Sequence, residues 1–210
     1  METHPLDEHG SFVWIANPEE RLCRASTALV VDRGVILIDP VDSPDLDAAL
    51  AAVGPVAGTC TLIDRHTRDA EAIATRHGVP RLVPAVLAGK GAPLVVDGVQ
   101  ERVILAIVGW NEAALWLPER RLLICVEAIG SLGFHLSVPE DRLGVHPLLR
   151  ARPPRGALGG LDPVAIAVGH GRPVTDGAAE ALEHALETAR SGVPEMVSRF
   201  VRDRLPFGKG

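Results

Sequence analysis

Tyrosine is absent from this 210-residue chain, and cysteine occurs only three times. The missing tyrosine says nothing about chemistry, but the cysteines are informative. Cys23, Cys60 and Cys125 form an odd number without paired spacing, which argues against a disulfide framework. Cys60 and Cys125 lie in apolar segments, so we expect buried, reduced thiols. Reduced thiols favour a cytoplasmic location.

Long apolar runs and clusters of basic residues are also missing. No run approaches the roughly 18 apolar residues that a membrane-spanning helix needs, and the polar, acidic start METHPLDE is unlike a signal peptide. The formal net charge is −6, which makes nucleic acid a poor partner. We therefore expect a soluble protein that binds an unidentified small molecule, and neither a membrane nor nucleic acid. The sequence leaves homo-oligomer formation open.

The first part of the chain predicts several strands and two helices. The chain length and a hydrophobic content of 47% predict a single domain over residues 1–210, with its core at about 11–190. Ser43 followed by Pro44 is typical of a helix start. Apolar runs bounded by turn residues predict strands at 12–16, 26–31, 34–39 and 58–63, and an edge strand at 81–84.

A polar turn, Asp64-Arg65-His66-Thr67-Arg68-Asp69, separates the predicted strand at 58–63 from a predicted helix at 67–77. In a layered α/β protein such a turn lies at the carboxyl edge of the sheet, where ligands usually bind. The turn is therefore the first candidate functional site.

The second part predicts strands at 94–97, 102–108, 113–116, 121–126 and 164–168, with Gly109-Trp110-Asn111 as a turn. Glu127 follows one of these strands directly, and His170 follows another within two residues. Prolines make the segment 138–161 irregular, and His135 and His146 in this region could face a cleft or solvent. Helices are predicted at 176–191 and 194–205.

Hairpins alternate with β-α-β units along the chain. The economical arrangement is two mixed β-sheets packed face to face with helices outside, an α/β fold of four αββα layers.

This order, together with several placed motifs, resembles the metallo-β-lactamase superfamily over roughly residues 11–190. The H-x-H-x-D-H motif of that superfamily corresponds to Asp64 through Asp69, and its G-H-T-x-G-S stretch to Gly109 through Ala114. The hairpin L-P-E-R-R-L-L at 117–123 and the closing V-G-H-G-R-P at 168–173 match best. Asp39-Pro40 resembles the superfamily's buried strand-end aspartate, which supports the site.

The resemblance implies a two-metal hydrolase site, but several ligand positions are altered. Of the three histidines that would hold the first metal, only His66 remains, because Asp64 and Trp110 occupy the other positions.

At the second metal, Glu127 and His170 keep groups that can ligate, and Asp69 is a changed type of ligand. Arg68 cannot ligate, because a guanidinium stays charged and has no acceptor.

Our first expectation is therefore a site without a cofactor. In that site Arg68 neutralises a neighbouring carboxylate, that of Asp64, Asp69 or Glu127. The alternative is a single divalent ion, zinc, manganese or iron, on His66, Asp69, Glu127 and His170. Two bound metals are the least expected outcome. The residues expected to line the pocket are Arg68, Trp110 and His135.

Three functions remain open. The preferred one is a hydrolase-like protein with a degraded dinuclear site and weak or no classical activity. A second is a one-metal hydrolase of a small ester, thioester or lactone, with Asp64 or Asp69 as general base and a histidine, His66 or His170, as its partner. A third is a non-catalytic protein that binds a small anion or a partner through Arg68.

Overall fold

Seven strands form the first sheet, and they follow one another in chain order. The protein is described by a computed structural model that covers residues 1–66 and 68–194. The first four strands are antiparallel and the last three run parallel to the fourth. They are β1 (Glu2–Pro5), β2 (Phe12–Ile15), β3 (Ala25–Val31), β4 (Gly34–Ile38), β5 (Val56–Cys60), β6 (Arg81–Val83) and β7 (Ala92–Pro93).

The second sheet has four strands in the order β13-β10-β9-β8. Strand β13 is parallel to β10, and the other pairs are antiparallel. Its members are β8 (Gln100–Ile107), β9 (Trp110–Leu117), β10 (Leu122–Cys125) and β13 (Ala165–Val168). A small two-stranded sheet joins β11 (Ile129–Gly130) to β12 (Gly144–Val145).

The helices are α1 (Leu46–Ala51), α2 (Ala70–His77), α3 (Arg155–Leu158) and α4 (Ala178–Thr188). Short 3-10 turns span Ala85–Leu87 and Pro147–Leu149. Helix α2 ends at Gly78, which adopts the left-handed conformation that glycine tolerates without cost.

Alternation along the strands separates two apolar layers. In β2, Val13 and Ile15 join the large core that contains the second sheet, whereas Phe12 and Trp14 join a smaller cluster on the other face. That smaller cluster also holds Leu46 and Leu50 of α1 and Ile73 of α2. Successive strand side chains point to opposite faces, so each strand packs both against the second sheet and against the helices. Helix α4 buries its apolar face in the large core.

The predicted sandwich of two mixed sheets with outer helices is confirmed. Several boundaries differ. Residues 94–97 do not form a strand, and Trp110 and Asn111 begin β9 instead of forming a turn. The turn is shorter because Ile107 pairs with Trp110, and Gly109 has a positive φ of +81°, which glycine adopts without cost.

Strand β1 was not predicted, because its polar sequence ETHP has no local strand signal and its pairing with β2 is a tertiary contact. The helix predicted at 194–205 lies, apart from its first residue, outside the described residues.

All three cysteines are free, and Cys60 and Cys125 are buried in β5 and β10 as predicted. Among the described residues, no helix is both long enough and apolar enough to cross a bilayer.

Candidate metal centre

Polar side chains from the ends of four strands meet at one edge of the sandwich. Asp39 directly follows β4, and His66 lies in the turn after β5. Glu127 follows β10, and His170 follows β13. Because β4 is parallel to β5 and β10 is parallel to β13, the carboxyl ends of each pair lie at the same edge. The edge therefore gathers residues that are far apart in sequence.

Three side chains converge closely enough to hold one cation. His66 Nε2 lies 3.2 Å from Glu127 Oε2, and His170 Nε2 lies 3.1 Å from the same oxygen. One ligand atom from each residue lies within 4.8 Å of the others. Within residues 1–66 and 68–194, no other group of three histidine, cysteine or acidic side chains comes together in this way.

The outer nitrogen of each histidine is fixed by an acceptor. His66 Nδ1 lies 2.5 Å from Asp39 Oδ2, and His170 Nδ1 donates to the Leu22 carbonyl at 2.9 Å. An acceptor at Nδ1 holds a proton on that nitrogen, so Nε2 is the nitrogen of each ring that faces Glu127. Zinc-binding histidines have the same outer contacts, to a carboxylate or a backbone carbonyl.

Asp39, the hydrogen-bond partner of His66, is itself held firmly in place. Its side chain is buried, and Oδ1 accepts the Leu62 N–H at 3.0 Å. Its φ is +45°, a conformation that non-glycine residues adopt at a cost. Ser26 holds this backbone in place, because its hydroxyl donates to the Asp39 carbonyl at 2.9 Å and accepts the Val41 N–H at 3.0 Å.

The electrostatics of the cluster favour the charged forms of His66 and Glu127. Burial by itself lowers the pKa of His66, but the charge and hydrogen bond of Asp39 outweigh it, and the pKa is raised above the usual value. Burial raises the pKa of the Glu127 carboxyl, but its hydrogen bonds with His170 and His66 hold it far below its usual range. Glu127 is therefore ionised at neutral pH.

Two further histidines lie around Glu127. His146 Nε2 is 3.5 Å from Glu127 Oε1, and its Nδ1 accepts the Leu148 N–H at 3.3 Å. His135 Nε2 lies 3.1 Å from the Glu127 carbonyl oxygen. Burial lowers the pKa of His146, and it lowers the pKa of His135 to about 3. Both rings are therefore neutral near pH 7, each with its proton on Nε2.

Glu112 was not identified from the sequence. It is fully buried in β9, and its carboxylate accepts Trp110 Nε1–H at 2.8 Å and the N–H groups of Glu127 and Ala128 at 3.0 Å each. Burial raises its pKa. A single acidic residue inside the apolar strand WNEAALWL was the signal that could have revealed it, because buried carboxylates require partners.

Arg68 does not contact the carboxylates that we expected it to neutralise. Its guanidinium donates to three backbone carbonyls: Ala25 O at 2.6 Å, Asp39 O at 2.9 Å and Gly169 O at 2.9 Å. The ends of β3, β4 and β13 are thus tied together by one side chain. Hydrogen bonds to these carbonyls replace the expected salt bridges, because carbonyl groups at strand ends need hydrogen-bond donors.

Asp64 and Asp69, the expected general bases, also point elsewhere. Asp64 Oδ2 accepts the Asn111 side-chain amide at 2.7 Å, and Asp69 Oδ2 accepts the Asp42 N–H at 2.8 Å. Partial burial raises the pKa of Asp64, but the Asn111 hydrogen bonds outweigh it and the net shift is downward. Neither carboxylate belongs to the converging group of His66, Glu127 and His170.

Trp110 and Arg65 form one wall beside the cluster. The Arg65 guanidinium carbon lies 3.9 Å from the centre of the Trp110 ring system, and the His146 ring meets Trp110 edge-on at 4.9 Å. Arg65 also reaches Glu127 Oε1 at 3.5 Å. The ring of Phe134, which is partly exposed, packs against His135, with 4.0 Å between ring centres.

Solved structures share this architecture. A metallo-β-lactamase from Erythrobacter litoralis is 14% identical with a TM-score of 0.59, and the alignment covers 90% of this chain and 96% of that one. DIM-1 metallo-β-lactamase is 14% identical with a TM-score of 0.56, covering 90% and 99%. An NDM_FIM-1-like metallo-β-lactamase from Erythrobacter litoralis in a mono-zinc form is 14% identical with a TM-score of 0.56, covering 90% and 96%.

The sequence matches no protein family model, and no curated protein is significantly similar to it. The similarity to these solved structures shows that the chain has the metallo-β-lactamase fold. At these identities the likeness concerns the fold alone.

Proposed function

We propose that this protein is a hydrolase of the metallo-β-lactamase fold that uses one divalent metal ion, held by His66, Glu127 and His170. Two histidines and one glutamate are a donor set found in catalytic zinc sites, where three protein ligands leave a position open. A bound ion of this kind supplies a Lewis acid and an activated water molecule.

One observation carries the proposal. His66 Nε2 and His170 Nε2 both point at the same Glu127 oxygen, at 3.2 and 3.1 Å, while Asp39 and the Leu22 carbonyl hold the two Nδ1 atoms. Without a metal, a proton on Nε2 of either ring can bond to Glu127. A divalent ion would take the place of such protons and would bind all three side chains at once.

A second metal has little support. The position that corresponds to the superfamily's metal-binding aspartate is Arg68, whose side chain is committed to three carbonyls. Asp69 binds the Asp42 backbone instead. We therefore propose one ion rather than two.

His146 is the residue we assign to proton transfer. Its Nδ1 accepts the Leu148 N–H, so the neutral ring carries its proton on Nε2, which faces Glu127 Oε1 at 3.5 Å. That N–H can donate to the developing negative charge of a substrate carbonyl or leaving group. Substrates with an ester, thioester or lactone bond suit this chemistry.

The test is metal stoichiometry followed by hydrolysis. Metal-free protein should take up one equivalent of zinc. His66→Ala and His170→Ala should each lose most of that binding, whereas His9→Ala, at an exposed position, should keep it. Zinc-loaded protein should hydrolyse members of a panel of p-nitrophenyl esters, thioesters and lactones, and His146→Ala should slow this without removing the zinc. No zinc uptake, or two equivalents, would contradict the proposal.

A second candidate is binding of a small anion without hydrolysis. It is favoured by the raised pKa of His66, because a protonated His66 would neutralise Glu127 without any metal. In that case zinc would not bind, and the metal-free protein would already be in its functional state.

A further inference from the structure

Arg65 is held in a fixed position by an aromatic platform. Its guanidinium carbon lies 3.9 Å from the centre of the Trp110 ring system, a stacking that arginine favours. The platform is itself rigid, because Trp110 Nε1 donates to the buried Glu112 at 2.8 Å and the His146 ring packs on its edge. The cation is therefore positioned before any ligand arrives.

The hydrogen-bonding capacity of Arg65 is largely unused. A guanidinium has five N–H donors. Within the described part of the chain, the one hydrogen bond that Arg65 makes is to Glu127 Oε1, and it is long, at 3.5 Å. Arg68, three residues later, instead spends its donors on three carbonyls at 2.6 to 2.9 Å. Arg65 is also exposed, whereas Arg68 is partly buried.

The contacts of Arg65 leave room for an anion at this place. Among the described residues, its one hydrogen bond to a carboxylate is the long contact with Glu127 Oε1, at 3.5 Å. A divalent ion on the three ligands would offset the charge of Glu127, and Arg65 would lose part of its attraction to that carboxylate. A ligand carboxylate or phosphate could then replace that contact with two parallel hydrogen bonds.

We propose that Arg65 is the anchor for an anionic group, a carboxylate or a phosphate, that the substrate carries next to its scissile bond. The anion would lie on the exposed edge of the guanidinium, beside Glu127 and His146. As a statement about substrate specificity this rests on the proposed hydrolase function. The anion subsite itself consists of residues of this chain and does not require the metal.

The experiment measures anion binding directly. Benzoate and inorganic phosphate are titrated by calorimetry into the metal-free and the zinc-loaded protein. Arg65→Gln removes the charge, and Arg65→Lys keeps the charge but removes the planar fork. Arg33→Gln is the matched control, because Arg33 is an exposed arginine in the β3–β4 turn, at the opposite end of β4 from Asp39. Zinc stoichiometry is measured for every variant.

We expect Arg65→Gln to weaken binding of at least one probe about tenfold, the loss expected for one charged hydrogen-bonding partner. Arg33→Gln should change it less than about twofold, within the range of exposed charges. A larger loss for benzoate identifies a carboxylate subsite, and a larger loss for phosphate identifies a phosphate subsite. Arg65→Lys should recover part of the loss.

Equal binding by Arg65→Gln and the unaltered protein, or no binding of either probe by the unaltered protein, would overturn the anion subsite. Failure of the metal proposal is separate. If no variant takes up zinc but Arg65→Gln still loses anion affinity, the one-metal hydrolase is wrong and the subsite stands.

Discussion

The buried carboxylate of Glu112 accepts the backbone N–H of Glu127 at 3.0 Å, so one acidic residue positions another. The same oxygen of Glu112 accepts the Ala128 N–H, and its second oxygen accepts Trp110 Nε1–H. Glu112 thereby links the turn that presents Glu127 with the ring that carries Arg65. Its burial explains how a short loop after β10 can hold the Glu127 side chain in place.

Replacing Glu112 should destabilise the whole edge. Glu112→Ala leaves the N–H groups of Trp110, Glu127 and Ala128 and the Cys125 thiol without their acceptor, and we expect a loss of about 2–4 kcal/mol in the free energy of unfolding. Glu112→Gln, which keeps one acceptor oxygen, should lose less of the free energy of unfolding than Glu112→Ala. Its main effect should be weaker zinc binding. Urea unfolding and zinc titration measure the two effects. Glu119→Ala, at an exposed turn, is the control and should have little effect. If Glu112→Ala proved as stable as this control, the positioning role would be wrong.

Asp39 should control metal affinity through His66. Asp39→Asn keeps an acceptor for the Leu62 N–H but removes the charge that fixes the proton on His66 Nδ1. Loss of such an outer partner typically lowers metal affinity about 10–100-fold. Competition with a chelator measures the zinc dissociation constant, and Asp32→Asn, exposed in the β3–β4 turn, serves as the control. An unchanged zinc affinity in Asp39→Asn would separate Asp39 from the site.

Arg68 should behave as a structural residue. Arg68→Met keeps most of the volume but removes the donors from three strand-end carbonyls, so we expect a loss of about 2–4 kcal/mol in the free energy of unfolding. Arg68→Asp should be worse, because its carboxylate would face those carbonyls, and it should not create a second metal site. Chemical unfolding and metal analysis follow the two variants, with Arg33→Met as the exposed control. Two equivalents of zinc in Arg68→Asp would refute this assignment.

His135 should make the metal-free protein sensitive to acid. Burial lowers its pKa to about 3, whereas the unfolded chain has a value near 6.5. Between these values the unfolded state binds a proton that the folded state does not, so the free energy of unfolding falls as the pH is lowered. Between pH 6.5 and about 4.5 the loss is at most about 3 kcal/mol.

The measurement is urea unfolding at several pH values. His135→Gln cannot titrate, so its stability should depend less on pH in this window, whereas His9→Gln should follow the unaltered protein. His66 acts in another window. Its pKa is raised, so its contribution is complete below about pH 6.5 and is lost as the pH rises through the folded value. The same slope in His135→Gln and the unaltered protein would show that His135 is not held neutral.

Much of the edge could be predicted because position at a strand end is a local property. The apolar runs before Glu127 and His170 marked the ends of β10 and β13, and parallel neighbours place such ends together. The run before Asp64 located β5 but put its end at residue 63, whereas β5 ends at Cys60. The resemblance to the superfamily then aligned these residues with metal-binding positions.

The directions of side chains could not be predicted in this way. Asp69 stands in the same turn as His66, yet its carboxylate accepts the Asp42 N–H from the loop after β4. It occupies the N-cap position of α2 without a side-chain capping bond. His146, in the irregular segment, reaches Glu127 through a fold of the chain that has no periodic signal.

The sequence by itself determined the layers, the strand ends and the presence of His66, Glu127 and His170 among them, because hydrophobic periodicity and turn residues act over short stretches. Only the tertiary structure decided that Arg68 ties three strand ends together while Arg65 stacks on Trp110 and remains available. The two arginines stand three residues apart in one turn, and what distinguishes them is the set of groups that the distant strands β3, β9 and β13 bring to each.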